Sequence, residues 1–158
     1  MVTALAQQTG YPLLVDPLSG VRFFNRRERG ERGDFEEDKE SAKSAKSADK
    51  FLISGYETFL QNDPGWPEPE IIVRFGAVPT SKWLNTYLDK INPVVRLHIR
   101  ENGVWADDSH RTTHFLQLNE TAVCQSVTAR LTNHQPDPTW QQTIQNTETT
   151  CWAALKPN

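Results

Sequence analysis

A chain of 158 residues, 37 % hydrophobic and 23 % charged, fits one domain that can bury a real core. A net charge of −3 gives no reason to expect a nucleic-acid or anionic-membrane partner. No run approaches the roughly 20 apolar residues of a spanning helix, Met1 opens no signal-peptide pattern, and two cysteines, Cys124 and Cys151, make neither a disulfide framework nor a thiol-rich metal site. The default compartment is a reducing cytoplasm.

Taken in chain order, residues 2–9 read as a helix stopped by Gly10. Leu13-Leu14-Val15 is a short apolar run ending at Asp16, which suits a buried strand of a parallel sheet. Pro17-Leu18-Ser19-Gly20 is the loop at its carboxyl end. Residues 26–50 differ in kind: they carry 8 positive and 8 negative charges and a repeated Ser-Ala-Lys triplet, with Phe35 as the single aromatic residue. Such a stretch buries too little surface to offset its ordering entropy, so it reads as a solvated surface insertion.

Order resumes at Phe51. Leu52, Ile53, Tyr56, Phe59 and Leu60 fall near helical spacing and predict a helix closed by Asn62-Asp63-Pro64-Gly65. Ile71 to Phe75 predicts a second strand, and Thr80 is the expected N-cap of a helix through Trp83, Leu84, Tyr87, Leu88 and Ile91. Pro93 breaks that helix before a third strand, Val94 to Ile99. A fourth, shorter strand spans Thr113 to Leu118. Two helices follow: 121–131, with Val123, Cys124, Val127 and Leu131 on one face, and a last one opened by Asp137-Pro138.

Strand–helix alternation with short connections predicts an α/β fold, a doubly wound and mostly parallel sheet. The chain opens inside a crossover helix, which implies a missing first strand ahead of Met1, central in the common strand order. We therefore expect residues 1–158 to be one domain of a longer protein, incomplete at its amino end. Alone it should be poorly soluble or partly molten, because neighbouring strand edges would be exposed.

Gly76 to Lys82 is the most informative run. It sits at a strand's carboxyl end and enters a helix N-terminus, where open α/β sheets bind ligands and backbone N–H groups favour anions. Ser81 adds a hydroxyl and Lys82 a mobile positive charge; an anion site and an ordinary capped helix start both remain open. The Asp16–Arg22 run reads first as a structural turn, with the role of Arg22 open. His110 and His114 have i, i+4 spacing but fall on loop and strand, so a metal is not expected. Trp105, Trp140 and Trp152 read as packing residues.

Four runs come in a recognisable order: Gly10 to Arg22 (GYPLLVDPLSGVR), Ile53 to Leu60 (ISGYETFL), Ile72 to Leu84 (IVRFGAVPTSKWL) and Trp105 to His110 (WADDSH). Together they resemble the central domain of 2-succinyl-5-enolpyruvyl-6-hydroxy-3-cyclohexene-1-carboxylate synthase, over about residues 2–155. The resemblance implies a transferase of menaquinone or phylloquinone biosynthesis. That enzyme decarboxylates 2-oxoglutarate with thiamine diphosphate and Mg²⁺ and joins the product to isochorismate. It further implies a dimer or tetramer in which flanking pyrimidine- and diphosphate-binding domains hold the cofactor. This chain has no Gly-Asp-Gly motif and no candidate for the cofactor-activating glutamate, so the isolated piece should be inactive. By the same resemblance, Ser81 and Lys82 reach toward substrate, with Lys82 on a carboxylate. Trp83 stands where some members have a second basic residue, which weakens that second contact. Arg22 and Arg74 are expected to add positive charge, to substrate or to a pocket for acidic ligands or pathway products. The alternatives are a stand-alone anion- or nucleotide-binding α/β module, or a spacer that only packs.

Overall fold

The computed structural model describes residues 1–21, 50–107 and 109–155. Arg22 and all but Lys50 of the charged 26–50 stretch lie outside these described residues.

Helix α1 (Val2–Thr9) ends at Gly10, whose N–H reaches the Ala6 carbonyl at 2.8 Å from a left-handed conformation, φ 74°. A side chain is excluded there twice over: the backbone favours glycine, and a Cβ would stand 2.3 Å from Cβ of Pro136. Strand β1 (Leu13–Leu14) then pairs in parallel with β2 (Leu52–Ile53).

That pairing corrects the helix expected from Phe51. Only Tyr56–Phe59, our α2, is helical; Leu52 and Ile53 extend along β1, with Leu13 N–H on Phe51 O and Val15 N–H on Ile53 O. Ile53, Tyr56 and Leu60 still enter one core cluster, first from a strand and then from a helix. Residues meeting a common core from two elements mimicked a single helical stripe.

Strands β3 (Ile71–Phe75), β4 (Val95–Ile99) and β5 (His114–Leu116) form a parallel three-stranded sheet in that order, the first two joined by α3 (Lys82–Lys90). The N-cap of α3 is Ser81, whose Oγ accepts the Leu84 N–H at 3.1 Å, rather than Thr80, which faces another loop. Arg96 closes the other end of α3, donating to the carbonyls of Leu88 (2.5 Å) and Ile91 (2.7 Å). Helix α4 (Glu120–Arg130) starts at an Asn119 cap, and α5 (Pro138–Ala154) at the expected Asp137 cap with Pro138 in its first turn.

The main core joins Ile53, Tyr56, Leu60, Trp66, Leu84 and Ile144, drawn from β2, α2, α3, α5 and the loop before β3. Trp66 meets Phe59 and Tyr87 edge-on, with ring centroids 5.3 and 5.7 Å away, and Trp140 packs at the margin. Helix α1 packs against α4 instead, and Gln8 Nε2 donates to Leu131 O at 2.7 Å. Of the apolar face expected on α4, Cys124 is buried but Val127 stays exposed, because α1 covers only part of that helix.

The fold is therefore α/β with parallel pairing throughout, as the alternation required. Among the described residues the strands fall into two sheets, β1-β2 and β3-β4-β5.

Inside the core sits one carboxylate. Glu148 of α5 is buried and accepts from Ser54 N–H (2.9 Å), Ser54 Oγ (3.1 Å), Gly55 N–H (2.9 Å) and Trp152 Nε1 (2.7 Å). It satisfies the orphan donors that open α2, a cap supplied from a distant helix. Gly55 leaves room for it: a Cβ would lie 3.0 Å from Glu148 Oε2.

Candidate functional site

The candidate site is built from the loops at the carboxyl ends of β1, β3 and β4. After β1, Asp16 makes the expected local turn, its Oδ1 accepting Leu18 N–H at 2.9 Å. The same carboxylate crosses to the loop after β3, accepting Thr80 N–H at 2.8 Å and Thr80 Oγ1 at 3.0 Å. That loop leaves β3 through Gly76 (φ 77°). Asn85 Nδ2 fixes Pro79 O at 2.8 Å, and Ser81 caps α3. Residues 79–81 are thus each held by a separate bond.

Lys82 follows directly, exposed in the first turn of α3, with Nζ 5.3 Å from the centre of the Trp83 ring. The buried Ser81 turns its hydroxyl inward to the cap. The two residues therefore face different partners. Arg22 lies outside the described residues.

Arg74 belongs to a neighbouring group. The register places Arg74 beside His98 and His98 beside Phe115, so the three form a row across β3, β4 and β5. Arg74 Nη2 lies 2.9 Å from His98 Nδ1 and also donates to Ala106 O, while His98 Nε2 lies 2.7 Å from Gly76 O. A carbonyl can only accept, so Nε2 carries the proton and Nδ1 accepts from Arg74. The His98 ring meets Phe115 edge-on at 5.2 Å, and Phe115 in turn meets the half-exposed Trp105. Burial holds the His98 pKa below its ordinary value; the bond to Gly76 opposes this, and Arg74 and Arg100 add to it.

Asp107 closes the row. Its buried carboxylate accepts Thr112 N–H at 2.7 Å and Ser109 Oγ at 3.2 Å. Burial pushes its pKa up, but these bonds and the Arg74 charge outweigh it, leaving the carboxyl below the usual range. The row links the exit of β3 to the loop after β4 and fixes both around a neutral imidazole.

His110 lies in the loop at φ 52°, and His114 opens β5, with Thr113 Oγ1 2.9 Å from its Nδ1. Among the described residues no three His, Cys, Asp or Glu side chains converge. An open groove of about 550 Å³ runs between α2 and α5, lined by Phe59, Thr147 and Cys151 among others; Asp16, Thr80 and Lys82 take no part in it.

Sequence reasoning singled out the Gly76–Lys82 loop but missed the Asp16–Thr80 bridge, His98, Asp107 and Glu148. A histidine in a strand whose other residues, Arg96 apart, are apolar was the one available signal. The others pair with residues 64 and 94 positions away, or through loop backbone that periodicity does not register.

The described residues form a parallel α/β unit whose strand ends carry a held loop and an exposed lysine. Comparison with known proteins supplies the particular family. The chain is 43 % identical over 156 residues to 2-succinyl-5-enolpyruvyl-6-hydroxy-3-cyclohexene-1-carboxylate synthase of Roseiflexus castenholzii, and 40 % identical over 156 residues to that of a second Roseiflexus. Each match covers 99 % of this chain and 22 % of the relative. The synthase of Bacillus cytotoxicus is 30 % identical over 134 residues, 83 % of this chain and 19 % of the relative. No family model matches the chain. The family that this chain matches is that of these synthases, and the chain corresponds to one segment of about a fifth of their length.

Proposed function

We propose that the chain serves as the central domain of a thiamine-diphosphate-dependent synthase that joins decarboxylated 2-oxoglutarate to isochorismate, on the way to menaquinone or phylloquinone. The observation that carries this reading is the match along 99 % of the chain, together with the Gly76–Lys82 loop at the ligand end of the fold. In this reading thiamine diphosphate and Mg²⁺ are held by the flanking domains of the same enzyme, which works as an oligomer. The segment itself performs no bond-making step.

Its contribution is a rigid basic loop. Both substrates carry several carboxylates, and Lys82 stands in the first turn of α3, where its charge adds to the field of the helix start. Ser81 supports it by fixing the turn. Arg74 supports it indirectly, by holding the exit of β3 through His98 and Gly76 O. Arg22 is proposed, from the sequence alone, as a further positive charge for acidic ligands.

The test is steady-state kinetics of the synthase carrying this segment. Lys82→Ala is expected to raise KM for one acidic substrate about tenfold, the size of a lost charge-assisted contact, with kcat changed much less. Unchanged KM for both substrates would remove Lys82 from the site.

A further inference from the structure

We infer that Asp16 is a positioning residue: its carboxylate locks the Pro79–Ser81 loop so that Lys82 is presented to substrate in one place. The inference rests on the substrate-facing role proposed for Lys82 and adds a residue to which no role beyond a local turn attaches.

Asp16 and Lys82 lie 66 positions apart in sequence, Asp16 on the loop after β1 and Lys82 at the start of the helix after β3, strands of different sheets. Within the described residues β1 and β3 share no strand pairing, so the backbone ladder does not fix one loop against the other. The Asp16 carboxylate does. It accepts both the backbone N–H and the hydroxyl of Thr80, and its bond to Leu18 N–H keeps it from swinging away. Thr80 is two residues from Lys82, and the intervening Ser81 is buried and spent on the cap of α3. Of the three bonds that hold residues 79–81, the one to Asp16 alone ties the start of α3 to the loop after β1.

The charge of Asp16 points the argument the other way, which makes it testable. A carboxylate close to a site for acidic substrates repels them, so by field alone its removal should tighten binding. Its presence beside such a site is explained if anchoring outweighs repulsion. Charge-assisted hydrogen bonds to a backbone N–H are about twice as strong as neutral ones, so the loss of anchoring is expected to dominate.

The experiment is a double-mutant cycle in the synthase carrying this segment, reading KM and kcat for each acidic substrate. Asp16→Asn should raise KM about tenfold with kcat changed far less, and it should add nothing in a Lys82→Ala background. Thr80→Val, which keeps the backbone bond and loses the hydroxyl one, should raise KM about threefold, and it carries the cycle if the Asp16 variant fails to fold. A lowered or unchanged KM for Asp16→Asn, beside a raised one for Lys82→Ala, overturns the positioning role and leaves the lysine in place. Effects that multiply in the double variant also overturn it, since they mean that Asp16 acts on folding rather than through Lys82. An unchanged KM for Lys82→Ala alone removes the reading on which this inference stands.

Discussion

Glu148→Ala is expected to destabilise the domain by roughly 3–5 kcal/mol, among the largest effects of any single substitution in it. The carboxylate is buried and receives two backbone N–H groups, a hydroxyl and an indole N–H. Deleting it takes the acceptor from the buried Gly55 N–H and from the half-buried Ser54 donors, at about 1–3 kcal/mol for each donor left unsatisfied, while the exposed Trp152 indole can turn to water. Glu148→Gln keeps one acceptor oxygen but turns an amide toward Gly55 N–H, so roughly half the loss is expected. Urea unfolding measures the size, and amide exchange at Ser54 and Gly55 measures the place. Protection that survives at both amides in Glu148→Ala would show that the carboxylate is not their acceptor.

His98 carries the second large effect. His98→Ala removes a fully buried ring that joins Arg74, Gly76 O and Phe115, at a cost of about 3 kcal/mol from the cavity and the lost hydrogen bonds together. It also predicts a pH dependence. The folded His98 has a lowered pKa, while the unfolded side chain takes a proton near its ordinary 6.5. Between those two values the unfolded state binds more protons, so stability present above about pH 6.5 is lost as pH falls toward the folded value. The groups around the ring are Arg74, Arg100 and Asp107. His98→Gln, neutral at every pH, should flatten the acid side of a Tm-against-pH curve between pH 7 and 5. An equally steep acid limb in that variant would assign the loss to carboxylates instead.

Local chemistry was well written in the sequence. Gly10 closes α1, Asp137-Pro138 opens α5, and the run 71–75, apolar but for Arg74, is β3, because each depends on the residue itself or its near neighbours. Leu52-Ile53 was misread because the segment from strand to helix, Leu52 to Phe59, is only eight residues long, too short for period 2 and period 3.6 to be separated. The cap at Ser81 was displaced by one residue, since Thr80 and Ser81 are both good caps and only the reach of Asp16 decides between them. The site follows the same division. Its loop was legible from a strand end running into a helix start. What fixes the loop was not, because Asp16 meets Thr80, and Arg74 meets His98, only once the strands are placed.

Segment exchange tests the central claim most directly. Residues 1–158 would replace the matching segment of the Roseiflexus castenholzii synthase, to which they are 43 % identical, and turnover would be measured with and without Lys82→Ala. If the chain is a working central domain of this family, the hybrid turns over within about tenfold of its parent and the lysine substitution raises KM. A folded, oligomeric hybrid with no turnover, or one indifferent to Lys82, would contradict it.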